Sequence, residues 1–236
     1  MVFLYQQIFY RPVFNALVFL FNTAAFHSFG LAIIETTILI RLILYPFFHK
    51  GAKQQMLMQR IQPQVKQIQE KHKKDMQAQS AALMALYKEH GVNPFSSILL
   101  LILQLPIMIG FYWVVRSGLT ASQFTNLYSF VASPGVVSTM FLHVINLASA
   151  NWIVLIAAAA SQFFQARLAI WRQPGGGPLS QAQKIASQMS YIAPVMTIVI
   201  FYTLPSAVAL YWFVSSVFSM VQQYFVNRHL KMKYGN

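Results

Sequence analysis

Arg41 places a charged side chain in the middle of an apolar stretch of this sequence. Residues 31–48 contain one other charge, Glu35, and their 18 residues just suffice for a helix to cross the hydrocarbon core of a bilayer. A guanidinium at that depth costs roughly 2.5–3.5 kcal/mol on insertion scales and does not lose its proton. We therefore expect Arg41 to face water or a polar partner and to serve a function.

Other polar side chains share apolar segments with Arg41 or with each other. Thr37, Arg41 and Tyr45 are four residues apart, so they project from one face of a helix. Glu35 lies roughly 240° around that helix from Arg41 and cannot neutralise it. Although each such residue alone often serves only interhelical hydrogen bonding, together they indicate a hydrated groove open to the cytoplasm. The further members are Gln104, Ser161, Gln162, Gln165, Trp212, Ser215, Ser216, Ser219 and Gln223.

Residue patterns typical of enzymes and metal sites are missing from the sequence. It has no H-E-x-x-H, no G-x-S-x-G, no Walker motif and no paired intramembrane carboxylates, and its six histidines lack ligand spacing. The absence of cysteine excludes disulfides and thiolate chemistry. We therefore predict a protein that is not an enzyme, with no catalytic residue, metal or cofactor.

Bulk composition indicates a membrane protein. The chain is 57% hydrophobic and 9% charged, with a mean hydropathy of +0.52, whereas soluble domains average about 25% charged residues. An all-α architecture with five transmembrane helices follows from five long apolar stretches. Pro194 should kink the fourth helix, and Pro205 should end it. The five stretches are residues 31–48, 95–115, 152–170, 185–204 and 207–225.

The distribution of basic residues predicts the orientation. Only Arg11 and Arg116 lie on the side opposite to most of the Lys and Arg residues. By the positive-inside rule, the N-terminus is outside and the C-terminus is inside. The fourteen residues on the cytoplasmic side are Lys50, Lys53, Arg60, Lys66, Lys71, Lys73, Lys74, Lys88, Arg167, Arg172, Lys184, Arg228, Lys231 and Lys233.

Segments outside the predicted spans have their own patterns. Residues 1–27 are interpreted as an amphipathic helix along the outer interface; a signal peptide is the alternative, although no basic residue precedes Arg11. Residues 136–147 are too short to span and are placed at the same interface. Residues 50–92 have helical apolar spacing and a polar tip, which predicts a cytoplasmic hairpin with arms of about 20 residues. Residues 173–178 are interpreted as a flexible linker.

Four segments in this order resemble the YidC/Oxa/Alb membrane protein insertases, most closely the bacterial members. They are GLAIIETTILIRLILYPF (30–47), QPQVKQIQEKHKKDMQAQSAALMALYKEHGVNPF (62–95), QLPIMIGFY (104–112) and MSYIAPVMTIVIFYTLPSAVALYWFVSSVFSMVQQYFVNR (189–228). The resemblance implies an insertase core over residues 28–236. Its five membrane helices would surround a hydrophilic groove that is open to cytoplasm and lipid and closed outside.

The family's groove arginine falls on Arg41, and its polar and aromatic neighbours fall on Thr37, Gln104, Tyr211 and Trp212. With Ser215 and Ser219 from the polar stripe, these residues form the predicted substrate-binding groove. Two departures are Ala207, where the family usually has glycine, and the acid Glu35.

The implied function is that of an insertase and chaperone in the bacterial plasma membrane. A hydrophobic segment of a nascent protein would enter from the cytoplasm, its acidic tail drawn to Arg41, and pass sideways into the lipid bilayer. The ribosome, the signal recognition particle with its receptor and the Sec translocon are the expected partners, without sequence-specific binding of nucleic acid.

Two alternatives belong to other functional classes. In an anion transporter or channel Arg41 would bind the anion, but the sequence has no inverted repeat and the predicted number of spans is odd. In a factor that assembles membrane complexes, Arg41 would pair with an acid of the partner.

Overall fold

The structure is a computed structural model that describes residues 2–94, 96–117, 121–169 and 181–234, so the predicted linker at 173–178 lies outside the described residues. Most of the described chain is helical. The helices are α1 (Val2–Tyr5), α2 (Arg11–Thr23), α3 (Phe29–Ile43), α4 (Tyr45–Arg60), α5 (Gln62–Lys71), α6 (Met76–Glu89), α7 (Ser96–Ser117), α8 (Trp152–Ala169), α9 (Gln181–Phe201) and α10 (Ser206–Tyr234). A π-helical turn, Gln6–Tyr10, joins α1 to α2.

The first predicted span is broken. α3 ends at Ile43, and α4 leaves Leu44 at an angle of 69°. Pro46 explains the break, because proline lacks an N–H and its ring clashes with the carbonyl four residues earlier, while it fits well at the start of a new helix. The prediction of one continuous helix over residues 31–48 is therefore wrong.

The helices form a bundle whose outside is apolar. α10 packs against α8, α3, α7 and α4, and α8 also packs against α9. Large apolar side chains nevertheless point outwards from the bundle; Leu99 of α7 is 63% exposed and Ile153 of α8 is 72% exposed. Several polar side chains lie inside, including Thr36, Ser161 and Ser216. The interior is still mainly apolar, but the outer surface carries more large apolar side chains than is expected for a protein surrounded by water.

By length and composition, no single helix of the described segments suffices to cross a membrane. The bent pair of α3 and α4 meets those requirements when its two halves are taken together. Shorter apolar helices cover Ile102–Ser117, Trp152–Leu168 and Ser190–Phe201. The count of five membrane spans stays a prediction.

The N-terminal helix, which consists of α1, the π-helical turn and α2, packs its apolar face against the bundle. Phe14, Leu17 and Val18 are fully buried, and α2 contacts α3 and α7. Asn15 is buried with them, and its side chain accepts from the backbone N of Tyr128 at 2.6 Å. The helix expected within residues 1–27 is present in the structure, but its apolar face covers protein.

Residues 62–89 form a helical hairpin that lies apart from the main core. A turn ends at Asp75, whose carboxylate accepts from the backbone N–H groups of Gln77 and Ala78 at 3.0 and 2.9 Å. The arms are shorter than predicted, because the chain breaks at Ile61, just before Pro63. A separate apolar cluster joins the arms: Ile61, Val65, Leu86 and Val92.

An irregular segment between α7 and α8 covers one end of the bundle. It contains a 3-10 helix, Ala121–Asn126, and a short antiparallel pair, β1 (Met140–Phe141) and β2 (Ile145–Asn146). The ring of Phe141 lies directly on Gly30 at the start of α3. The Oγ of Ser206, at the start of α10, donates to the carbonyl of Ser149 at 2.6 Å. The segment thereby holds the starts of α3 and α10 together.

Candidate functional site

Arg41 lies in the last turn of α3 and is 4% exposed. Its Cζ is 4.3 Å from the centre of the Phe48 ring, which belongs to α4. The bend at Leu44 makes this contact possible, because it turns α4 back so that its second turn covers the guanidinium. The carbonyl of Tyr45, beside the bend, accepts from Nε2 of Gln222 in α10 at 3.4 Å. The bend is thus fixed from a second helix.

Among the residues that the structure describes, no carboxylate lies within 4.0 Å of the Arg41 guanidinium. Glu35, although on the same helix, makes no ion pair with it, and the ion pair found in the described ranges joins Lys66 to Glu70 in the hairpin. The charge of Arg41 is therefore not neutralised by a side chain of that part of the molecule.

A polar cavity of about 300 Å³ adjoins Arg41. At about 30 Å³ for each water molecule, it has room for roughly ten. Six of the fourteen lining residues are glutamines, and none is acidic. The lining is drawn from six helices: Arg41 of α3; Phe48, Ala52 and Gln55 of α4; Gln104 of α7; Gln162, Gln165 and Ala166 of α8; Ala193 of α9; and Trp212, Ser216, Ser219, Gln222 and Gln223 of α10.

Four of the seven predicted groove residues line this cavity, namely Arg41, Gln104, Trp212 and Ser219. The other three are buried next to it without being part of its wall: Thr37, Tyr211 and Ser215.

Two of these buried residues, Thr37 and Tyr211, hold their positions by contacts within the bundle. The Oγ1 of Thr37 donates to the carbonyl of Ile33, one turn earlier in α3, at 2.6 Å. The ring of Tyr211 stacks on Phe111 of α7, with 4.8 Å between the ring centres. These residues support the lining residues without facing the cavity themselves.

Several lining glutamines keep their amide groups available. In the described part of the chain, the side chains of Gln55, Gln104 and Gln165 make no hydrogen bond, and the buried Nε1 of Trp212 has no acceptor. Gln162, by contrast, accepts from Thr197 of α9. The three glutamines are half-buried, so water can reach their amides. Buried polar groups usually have partners, so the free Nε1 of Trp212 marks a place where a further polar molecule can bind.

Phe48, Ala52 and Gln55 are the main lining residues that sequence reasoning missed. They lie at positions i, i+4 and i+7 of α4, which is the spacing of one helix face. That spacing was visible in the sequence. The prediction assigns residues 50–92 to a hairpin away from the groove, and it therefore leaves out Ala52 and Gln55.

Comparison with known proteins identifies the relatives of this chain. Residues 20–233 match the family model described as 60Kd inner membrane protein. A protein of Fusobacterium nucleatum subsp. nucleatum named membrane protein insertase YidC is 34% identical over 212 residues, which cover 89% of this chain and 92% of the relative. Proteins of the same name from Wolinella succinogenes and Francisella philomiragia are 32% and 30% identical, over 95% and 86% of this chain.

The chain spans 38% of the length of the Wolinella protein and 33% of that of the Francisella protein. Among solved structures, it resembles one described as an active YidC insertase with the first transmembrane domain resolved. The TM-score is 0.63 at 27% sequence identity, over 94% of this chain and 46% of the other. These matches confirm the resemblance seen in the sequence. The chain belongs to the 60Kd inner membrane protein family, together with the relatives named YidC.

Proposed function

We propose that this chain is a membrane protein insertase that guides hydrophobic segments of nascent proteins into the bilayer through the cavity at Arg41. One observation carries the proposal: a buried arginine with no carboxylate within 4.0 Å, among the described residues, borders a cavity lined by glutamines. A cation left unneutralised inside a bundle with an apolar outside is costly, so a function has to justify it. The names of the relatives point to the same activity.

The proposed placement has five membrane-spanning segments, formed by the bent pair of α3 and α4 and by α7, α8, α9 and α10. The exposed apolar side chains of these helices support contact with lipid. The excess of Lys and Arg in the hairpin and near the C-terminus supports an outer N-terminus and an inner C-terminus in a bacterial inner membrane. Residues 1–27 would then lie at the outer interface, and residues 28–236 would form the core, with the cytoplasmic hairpin at 62–89.

Arg41 acts in this proposal by attracting the short acidic tail that precedes a hydrophobic segment. Two opposite charges 4 Å apart attract by about 4 kcal/mol at an effective dielectric constant of 20. An Asp in the centre of a membrane helix costs about 2.5–3.5 kcal/mol. The two quantities are similar, so one arginine suffices to offset the cost of one acidic residue. A nearby carboxylate on the protein would cancel this attraction.

The uncharged lining serves the rest of the tail. The amides of Gln55, Gln104 and Gln165 can both donate and accept hydrogen bonds, and Trp212 adds a donor. A polar tail can therefore exchange its bonds to water for bonds to the wall. Ser219 contributes a hydroxyl to the same wall, and Thr37, Tyr211 and Ser215 would fix its shape.

The hydrophobic segment supplies the free energy for the last step. Each Leu, Ile or Phe at the centre of a membrane helix contributes about 0.3–0.6 kcal/mol, so a segment of ordinary length favours lipid. The cavity lowers the barrier for the polar tail and need not hold the segment. The hairpin, with exposed Met76 and Met84 among its lysines, would receive the ribosome, the signal recognition particle and its receptor, or the Sec translocon.

The test replaces Arg41 with Ala and with Lys and measures insertion of a single-span substrate with an acidic tail into proteoliposomes. Arg228→Ala, which removes an exposed charge elsewhere, is the matched control. We expect Arg41→Ala to lower insertion of the acidic substrate about tenfold, equivalent to ~1.4 kcal/mol. Arg41→Lys should restore most of the activity, because it keeps the cation.

A second substrate in the same assay has the acidic residues of its tail replaced by amides. It should depend much less on Arg41. Full insertion of the acidic substrate by Arg41→Ala would refute the electrostatic step. A change of anion flux without a change of insertion would instead favour a transporter. Cross-linking of the cavity to one stable partner, rather than to short-lived nascent chains, would favour an assembly factor.

A further inference from the structure

A second and larger cavity lies between the N-terminal helix and α7, away from Arg41. Its volume is about 640 Å³, roughly twice that of the polar cavity. Most of its wall is aromatic or aliphatic, and its polar members are uncharged. It is lined by Tyr5, Gln6, Tyr10, Ile109, Trp113, Ser117, Gln123 and Asn126.

The N-terminal helix and α7 come close together beside this cavity. At Gly110 they are close, since a Cβ there would lie 3.6 Å from the Tyr5 hydroxyl and 3.9 Å from the carbonyl of Phe9. The Tyr5 hydroxyl also donates to the carbonyl of Pro106 at 3.1 Å. Burial raises the pKa of Tyr5 to about 12, so the hydroxyl keeps its proton at neutral pH.

Trp113, one turn further along α7, lines the cavity on one side. The π-helical turn at Gln6–Tyr10 forms the opposite wall, and such turns often occur at functional sites. Tyr10 closes the end of the cavity by donating to Oε1 of Gln123 at 3.1 Å.

Two arginines lie near this cavity, although neither lines it. Arg11, which follows Tyr10, is already engaged, because its Nε donates to the carbonyl of Asn126 at 3.0 Å and its Nη1 to Oε1 of Gln7 at 3.3 Å.

Arg116 is exposed. It follows Ile109 by seven residues, and at 100° for each residue the two side chains leave α7 in directions that differ by only about 20°. It is about 10 Å further along the helix axis, beyond Trp113. One of its N–H groups donates to the Tyr112 hydroxyl at 2.6 Å, and the others remain available for an anion.

No acidic residue competes for Arg116 nearby in the sequence. Between residues 96 and 151 the sequence contains no Asp or Glu, and the four acids of the chain are Glu35, Glu70, Asp75 and Glu89. An apolar slot that ends at an exposed arginine complements a molecule with a long apolar tail and an anionic head.

We infer that this cavity binds one acyl chain of an anionic phospholipid, whose phosphate contacts Arg116. The lipid would fill the space between the N-terminal helix and α7 and hold the two together. This site is separate from the cavity at Arg41. The inference is independent of the insertion mechanism and requires only that the protein lies in a bilayer.

Trp113, which is 48% exposed and lines the cavity, provides the test. Its fluorescence can be isolated by replacing Trp152, Trp171 and Trp212 with Phe. The variant is reconstituted in phosphatidylcholine vesicles that contain a small fraction of brominated phosphatidylglycerol or brominated phosphatidylcholine. We expect about a fivefold preference for the anionic lipid, the equivalent of ~1 kcal/mol for one arginine at a membrane surface.

Two variants test the two halves of the inference. Arg116→Gln should abolish the preference, whereas the matched control Arg228→Gln should leave it unchanged. Ser117→Phe should fill the cavity and lower quenching by both lipids. Equal quenching by the two lipids in the starting protein, or an unchanged preference in Arg116→Gln, would overturn the inference. Arg41→Ala should not alter lipid binding. A failure of the lipid test therefore leaves the proposed insertion mechanism standing, and a failure of the insertion test leaves the lipid site standing.

Discussion

Replacing Gly30 with alanine should destabilise the protein, although alanine favours helices. A Cβ at residue 30 would lie 2.7 Å from Cε2 of Phe141 and closer still to two other atoms of that ring, whereas ordinary contacts begin near 3.4 Å. The ring, or β1 that carries it, has to move, and such overpacking costs about 1–3 kcal/mol. Alanine regains at most ~1 kcal/mol of helix propensity. We expect a net loss of about 1–2 kcal/mol.

Thermal unfolding in detergent micelles, followed by circular dichroism, measures this loss. At ~2–4 °C for each kcal/mol, the melting temperature should fall by several degrees. Gly110→Ala is the matched control, because its Cβ would meet the nearest atom at 3.6 Å, an ordinary contact. That variant should be as stable as the starting protein or slightly more stable.

Removal of the ring should rescue the alanine at residue 30. In a Phe141→Ala background, Gly30→Ala should cost nothing, since the obstructing atoms are gone. If Gly30→Ala raised the melting temperature as Gly110→Ala does, the ring would not press on α3, and the packing of the irregular segment between α7 and α8 would be incorrect. A loss that persisted without the ring would place its cause elsewhere.

Two further substitutions test the contacts of Arg41 and of the hairpin. Phe48→Leu removes the aromatic face from the Arg41 guanidinium and should lower the free energy of unfolding by about 1–2 kcal/mol. Phe47→Leu, which changes an exposed neighbour, is the control. Equal losses of stability in the two variants would contradict the contact. Asp75→Ala removes the N-cap of α6 and should cost about 1 kcal/mol, seen as roughly fivefold faster hydrogen exchange in its first turn. Unchanged exchange would exclude the cap, and Asp75→Asn should retain it.

The break in the first span shows one limit of prediction from sequence. Hydropathy over residues 31–48 is continuous, so a window that sums it finds one helix. Pro46 was the available signal, because proline is compatible with the first turn of a helix but not with its interior. Its effect depends on where the new helix is directed, and here Gln222 of α10 fixes the bend from outside the segment.

The N-terminal helix and the irregular segment between α7 and α8 show two other limits. An apolar face with the spacing of Phe14, Leu17 and Val18 suits lipid and protein equally, so periodicity predicted the helix but not what covers it. The turn between β1 and β2 has positive φ at Leu142 and His143, where sequence rules expect Gly or Asn. The hairpin turn therefore had no visible signal.

The sequence predicted those residues of the candidate site that stand out as polar or charged within an apolar helix. Arg41 was evident as a charge in an apolar run, and Trp212 and Ser219 followed from the stripe on α10. Gln55 could not be placed, because it joins the cavity only through the bend at Leu44. When a bend between two helices brings residues together, the sequence shows no common periodicity for the residues on its two sides.

The bend at Leu44 also makes α4 a lever. The helix extends 16 residues from the bend, about 24 Å, and Phe48 lies about 6 Å from the pivot. Tilting α4 as a rigid rod would move the Phe48 ring about one quarter as far as Arg60 at the far end. A displacement of 4 Å where the hairpin begins thus becomes ~1 Å at the guanidinium, by the same helix geometry. A molecule that binds the hairpin and displaces it would therefore also shift the Phe48 ring that covers Arg41.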